Sequence, residues 1–169
     1  DEDLFIEYFN QHPEVKLIIA PHVIDENHLV EIIRKLKRPY VRYTRADEKN
    51  VRKADCLIVD CFGLLSSIYR YGEIAYIGGG FGVGIHNTLE AAVYGIPVIF
   101  GPKYQKFQEA VQLLEAKGAF SVKDYEELKT LLDRMLTDEV FLRESGMNAS
   151  NYVTGNAGAT DKIMSMINF

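Results

Sequence analysis

Apolar positions along this chain follow two periods that alternate almost from end to end. Val15 to Ala20 is a short apolar run closed by Pro21, the pattern of a buried strand. Residues 25–36 then place Leu29, Ile32, Ile33 and Leu36 on one helical face. Tyr40 to Tyr43 and Cys56 to Val59 predict two further strands, and Leu64 to Tyr71 a short helix. Ile74 to Ile77 and Val98 to Phe100 predict strands on either side of a glycine-rich loop and a helix that opens near His86. Residues 105–116 repeat the helical stripe with Phe107, Ala110, Val111 and Leu114, and Gly118 supplies a stop. Ala119 to Val122 is the last strand. Asp124 and Glu127 have the spacing of a capping box, opening a helix through Leu128, Leu131, Leu132 and Met135. Helices over 1–12, 138–153 and 158–168 complete the reading.

Short, nearly continuous apolar strands between amphipathic helices predict a parallel sheet covered on both faces, a doubly wound, Rossmann-like α/β fold. Neither a repeat nor a long linker interrupts it, so residues 1–169 read as one domain. The opening helix has no strand before it, and the chain starts at Asp1 rather than Met. The fold is therefore expected to lack its first strand, as a fragment excised from a longer protein would. Ligands of such sheets sit beyond the carboxyl ends of the strands, where the glycine loop emerges.

The composition, 47% hydrophobic and 25% charged, is that of an ordinary globular protein. A net charge of −5 argues against nucleic acid or an anionic membrane as a partner of the whole surface. Cys56 and Cys61 are too few for a disulfide framework and lack a metal-ligand spacing; both read as core residues of one strand, on opposite faces. No run approaches the roughly 18 apolar residues of a membrane span. No metal and no cofactor are called for, since the chain shows neither a DxD-type pair nor a His/Cys cluster.

The densest chemical signal is the loop from Gly78 to Gly84, with five glycines in seven residues, followed by His86-Asn87-Thr88-Leu89-Glu90. A tight turn needs one or two glycines, not five. Glycines let backbone N–H groups approach a ligand without a Cβ in the way, and a following helix adds partial positive charge. The loop thus suits an anionic, phosphorylated ligand. It lacks the G-x-G-x-x-G spacing with its acidic partner and the Gly-Lys-Ser/Thr ending, which disfavours a nicotinamide dehydrogenase or a P-loop NTPase. Asn87 and Glu90 fit a capping box, yet Glu90 also suits a ribose, and one carboxylate has to choose between them. His86 reads either as a loop histidine or as a phosphate contact. Pro21-His22 and Asp60-Cys61-Phe62-Gly63-Leu64 leave strand ends likewise: Gly63 permits an unusual backbone angle, and Phe62 can face a base. Lys103, Tyr104 and Lys106 read as solvated residues at a helix start rather than as ligands, although a single lysine near a phosphate would fit.

The string GGGFGVGIHNTLEAAVYGIPVIFGP, followed by FQEA, closely resembles the C-terminal domain of 3-deoxy-D-manno-octulosonic acid (Kdo) transferases. These are two-domain GT-B glycosyltransferases that attach Kdo from CMP-Kdo to a lipid A precursor. The likeness extends to Ile19-Ala20-Pro21, to Asp60-x-x-Gly63-Leu64 and to Gly155-Asn156-x-Gly158-Ala159. It implies a donor site in which Gly79, Gly80, Phe81, Gly82, Gly84 and Asn87 meet the phosphate and Glu90 the ribose, with His86 beside them at the mouth of the loop. Pro21, His22, Phe62, Gly63 and Leu64 would flank the cytosine. Many members carry an arginine where this chain has His22, and Gly-Glu-Leu where it reads Gly63-Leu64-Leu65. A neutral histidine offers one hydrogen bond in place of arginine's fork.

The resemblance also places the catalytic carboxylate, the acceptor surface and any membrane anchor in an N-terminal domain, with the whole protein at the cytoplasmic face of the inner membrane. Alternatives are another GT-B transferase that uses a UDP-sugar, or a non-catalytic ligand-binding module on the same fold. On the first reading this chain alone transfers no sugar. A transfer assay on the purified chain, without added protein, is expected to give no product; product formation would refute the reading.

Overall fold

The computed structural model describes residues 1–156, and the helix expected over 158–168 lies outside them. The elements are α1 (Glu2–Gln11), β1 (Leu17–Ile19), α2 (Glu26–Lys35), β2 (Tyr40–Arg42), α3 (Glu48–Val51), β3 (Cys56–Ile58), α4 (Leu65–Ile68), β4 (Ala75–Ile77), α5 (Leu89–Ala92), β5 (Val98–Phe100), α6 (Gln108–Glu115), β6 (Ala119–Ser121), α7 (Tyr125–Thr137) and α8 (Glu139–Asn156). All strand pairings are parallel, as a doubly wound α/β chain requires. The strands form two sheets, β1-β3-β2 and β4-β5-β6. They fall in two compact units: residues 1–72 with 123–131, and residues 73–122 with 132–156.

In the first unit β3 lies between its neighbours, with Cys56 opposite both Leu17 and Tyr40, and Ile58 opposite Ile19 and Arg42. Ile19, Cys56 and Ile58 share one face of the pleat and join Ile6, Phe9, Leu29 and Ile32 in the core. Helix α2 starts where the sequence indicates: the Asp25 carboxylate accepts from the amides of Asn27 (2.9 Å) and His28 (3.1 Å). The Cys56 thiol is buried and its pKa is pushed up to about 12, so it behaves as a small apolar group. Cys61 lies past the end of the strand and is half-buried, so the expectation of two strand residues on opposite faces holds for Cys56 alone. The chain has already turned by residue 61.

Arg38 fastens α1 to this unit. Its guanidinium Nη1 lies 2.8–2.9 Å from the carbonyl oxygens of Phe9, His12 and Val15, and its Nη2 lies 2.9 Å from that of Pro13. The group also sits 4.0 Å over the Phe9 ring. A cation at the carboxyl end of α1 meets a carbonyl of its last turn and three of the segment that leaves it.

A second polar knot lies just beyond β3. The Asp60 side chain is 1% exposed and accepts from Arg42 Nε (2.8 Å), the Thr44 amide (2.8 Å) and the Thr44 hydroxyl (2.6 Å). Arg42 also meets Glu26 at 2.8 Å. Thr44 belongs to a 3-10 turn, Tyr43–Arg45, which with α3 was not foreseen from the sequence. The polar stretch 43–54 has no apolar period to reveal it; its local order comes from a capping box between Asp47 and Asn50.

In the second unit β5 is the central strand, and Val98, Ile99 and Phe100 are all fully buried, which explains the unbroken apolar run. Helix α6 begins later than its stripe suggested, because Phe107 is extended (φ −107°, ψ 99°). Ala110 and Leu113 are the buried pair, and Leu114 is only partly covered. Asp124 caps α7 through the Glu127 amide (2.9 Å), but the Glu127 carboxylate reaches back to the amide of Lys123, not Asp124. The reciprocal bond is shifted by one residue. Helix α8 packs on the turn after α5 with almost no space between backbones: a Cβ on Gly146 would meet the Gly95 oxygen at 2.1 Å.

The Asp60 knot predicts a pH dependence. Burial by itself raises the pKa of this carboxyl, but the Thr44 hydroxyl and amide and the Arg42 guanidinium outweigh it and hold the value at about 2. A depressed folded-state value stabilises the fold above the ordinary value of 3.8, and that stability is lost as pH falls toward 2. The shift corresponds to roughly 2 kcal/mol. Denaturant unfolding between pH 4.5 and 2 is expected to show a steeper loss in the wild type than in Asp60→Asn; equal slopes would remove Asp60 from the account.

Candidate functional site

The candidate loop leaves β4 at Gly78 and runs to α5 in the second unit, beside the turn after β5. Two close approaches set its path. A Cβ on Gly80 would lie 2.5 Å from the Gly101 backbone nitrogen, and one on Gly79 would lie 2.2 Å from the Gly84 oxygen. Gly79 and Gly84 also have φ of +92° and +146°, angles that other residues rarely adopt. The Phe81 ring covers Gly101, and the Phe107 ring lies against Gly84.

Hydrogen bonds fasten the loop from within. The Gly79 oxygen accepts from the amides of Gly82 (2.9 Å) and Gly84 (3.2 Å), and the Gly78 oxygen accepts from His86 (3.1 Å). Lys103 adds two more bonds. Its amide donates to the Gly80 oxygen at 2.9 Å, and its ammonium to the Gly82 oxygen at 2.9 Å. By contrast the amides of Gly80, Phe81 and Val83 have no acceptor among the described residues. Gly80 is a buried residue, and amides without acceptors are rare on buried backbone. Each open amide belongs to a peptide whose carbonyl, on Gly79, Gly80 or Gly82, is held by one of these bonds. The loop therefore leaves three backbone donors open among the described residues.

The helix after the loop differs from expectation. Helix α5 has a single turn, Leu89–Ala92, so its dipole adds little and the loop amides are the main source of positive potential. Its N-cap is Thr88, in a helical conformation, with no side-chain cap bond. The expected Asn87–Glu90 capping box is absent. Asn87 Oδ1 accepts from the Leu89 amide (3.0 Å), and its Nδ2 donates to Glu90 Oε1 (3.0 Å). Glu90 is thus oriented by a side chain, and its Oε2 accepts nothing among the described residues. His86 is exposed at the loop's end.

Two residues at this loop escaped the sequence reading. Lys103, neither simply solvated nor facing a ligand directly, is bonded to the loop twice; no spacing rule predicts a contact across two loops. Thr88 is fully buried, and its hydroxyl has no partner among the described residues. A threonine in a capping sequence gives no sign of that.

In the first unit the remaining candidates emerge together at one end of adjacent strands. Pro21 and His22 follow β1, and Phe62, Gly63 and Leu64 follow β3, joined at the base by the Val59 amide donating to the Ile19 oxygen at 2.8 Å. Pro21 is buried and His22 exposed. Phe62 is 82% exposed, Gly63 has φ +87° as its place in the turn requires, and Leu64 is the N-cap of α4. Asp60, two residues before Phe62, anchors the start of this turn. A shallow depression lined by Ala46, Asp47, Glu48, Val51 and Arg52 contains none of the candidates. Among the described residues no three of His, Cys, Asp or Glu come together to hold a metal ion, and no helix is long and apolar enough to cross a membrane.

No family model matches the sequence. Curated relatives do. Over 135 residues, 79% of the chain, it is 37% identical to a 3-deoxy-D-manno-octulosonic acid transferase of Aquifex aeolicus, and over 116 residues it is 33% identical to that of Rickettsia bellii. The chain belongs to the Kdo transferase family. It spans only 37% and 28% of the length of those two Kdo transferases. It is also 29% identical over 164 residues to a bifunctional glycosyltransferase/methyltransferase of Fusobacterium nucleatum, covering 26% of it. Among solved structures, the fold matches the C-terminal CMP-Kdo binding domain of WaaA from Acinetobacter baumannii with a TM-score of 0.75, at 19% identity over 90% of the chain and 82% of that domain. It matches the C-terminal domain of the group 1 glycosyl transferase LpcC from Francisella tularensis with a TM-score of 0.62, at 16% identity over 94% of the chain and 77% of that domain. These fold matches bear out the GT-B C-terminal architecture.

The glycines of this Kdo transferase loop are not equivalent. A Cβ on Gly82 meets nothing nearer than the Gly79 oxygen at 3.6 Å, whereas one on Gly80 collides with backbone. Gly82→Ala is expected to cost under about 1 kcal/mol and Gly80→Ala more than about 2 kcal/mol. Chemical unfolding of the two variants tests the ranking, and equal costs would contradict the loop's geometry.

Proposed function

We propose that this chain is the donor-binding part of a glycosyltransferase that moves Kdo from CMP-Kdo to a lipid A precursor. The observation that supports this most directly is the loop with its carbonyls fastened and the amides of Gly80, Phe81 and Val83 left open. A cytidylate phosphate would accept from those amides in place of water. A charge-assisted bond of this kind contributes on the order of 1.5–3 kcal/mol. Gly79, Gly82, Gly84, His86 and Asn87 would complete the phosphate surround. The open oxygen of Glu90 would accept from a ribose hydroxyl while Asn87 holds the other. For Pro21, His22, Phe62, Gly63 and Leu64 the proposed contact is the cytosine, on the strength of the family resemblance and their place at strand ends.

In this reading the lipid-linked hydroxyl, deprotonated by a carboxylate outside this chain, attacks the anomeric carbon of Kdo, and CMP departs with the electron pair of the broken bond. Donors already aimed at the phosphate stabilise the charge on the departing group without reorganising, which is where such a loop lowers a barrier. The acceptor and any membrane association at the inner face belong to the rest of the enzyme. A transferase using a UDP-sugar would share the phosphate contacts and differ in the base.

Titration of the chain with CMP, UMP and UDP, followed by calorimetry, separates the two. CMP is expected to bind at least about tenfold tighter than UMP, a difference of about 1.4 kcal/mol. Equal or inverted affinities would overturn the CMP reading.

A further inference from the structure

Resting on the phosphate reading of the glycine loop, we infer that Lys103 is a positioning residue for the donor, acting through the loop's peptide groups. A trans peptide is planar, so its N–H points opposite to its C=O. Lys103 donates its amide to the Gly80 oxygen and its ammonium to the Gly82 oxygen, both at 2.9 Å. Those two carbonyls belong to the same peptide groups as the Phe81 and Val83 amides, which have no acceptor among the described residues. Holding the carbonyls toward Lys103 therefore turns both amides to the other side of the loop.

The ammonium adds more than direction. A cation on the Gly82 oxygen draws electron density from that peptide and makes the Val83 N–H a stronger donor, as in other hydrogen-bonded chains. It also offsets the loss of backbone freedom in a glycine-rich segment, which is costly to order. Val83 is fully exposed, so no side-chain packing at the loop's tip does this instead. Gly80 and Gly101 bring the two loops close enough for the contact, since a Cβ on either would collide with the other's backbone. Lys106, three residues on, has the same charge but no bond to the loop, and so serves as a control.

The test compares CMP with cytidine, which lacks the phosphate, on wild type, Lys103→Met, Lys103→Arg and Lys106→Met, together with amide ¹⁵N–¹H shifts of Phe81 and Val83. Wild type is expected to favour CMP over cytidine. Lys103→Met is expected to weaken CMP about tenfold, leave cytidine within about twofold, and shift the Val83 amide resonance toward weaker donation. Lys103→Arg should recover most of the affinity, and Lys106→Met should behave as wild type. If Lys103→Met keeps both the CMP preference and the Val83 shift, the inference fails while the phosphate reading stands. Equal losses for CMP and cytidine, with a lowered melting temperature, would make Lys103 merely structural and also overturn it. A wild type that does not distinguish CMP from cytidine removes the phosphate reading itself, and the role of Lys103 with it.

Discussion

The contact between the backbones of Gly80 and Gly101 is the constraint on which the candidate site rests. With no side chain on either residue, the turns after β4 and β5 meet at a distance that a single methyl group would forbid. That closeness brings Lys103 within reach of two loop carbonyls. Planarity of the peptide then decides where the remaining donors face. A chain of small geometric necessities, none of them costly alone, gives the loop one arrangement among the many its glycines would otherwise allow.

The first unit solves a comparable problem with charge. Its turn after β3 is also short and includes a glycine at positive φ, but here a buried carboxylate holds the backbone. Asp60 has three donors, and Arg42 is shared with Glu26, so the buried ion is matched on every side that has been described. An unmatched carboxylate in that place would cost several kcal/mol. Arg38 does the same for the end of α1, gathering the carbonyls of Phe9, His12, Pro13 and Val15 around one cation. Both units thus hold irregular backbone in place by saturating its carbonyls or carboxylates, leaving chosen amides or exposed side chains at the strand ends.

Much of this was legible in the residues. The alternation of apolar runs and helical stripes located every strand to within two residues, most sharply at β5, whose burial on both faces permits little else. Asp124 marked a helix start, since its carboxylate has one favourable use there. The phase of α6 was misjudged because an extended Phe107 delays its start, a tertiary effect of the ring lying on Gly84. The glycine loop announced a place for close backbone approach, but its hydrogen-bond pattern could not be read, because it depends on residues some twenty positions apart. Lys103 shows the limit well: along the chain it is a lysine in a polar segment, and only the fold brings it to Gly82.

The two cysteines differ chemically in a way that gives the molecule a built-in handle. Cys56 is sealed in the core with a thiol that resists ionisation, while Cys61 is partly open and directly precedes the exposed Phe62. A thiol-directed fluorophore or spin label would therefore attach at one place without any engineered residue. That place adjoins the turn proposed to meet the base, so a label on the native chain would report directly on that proposal.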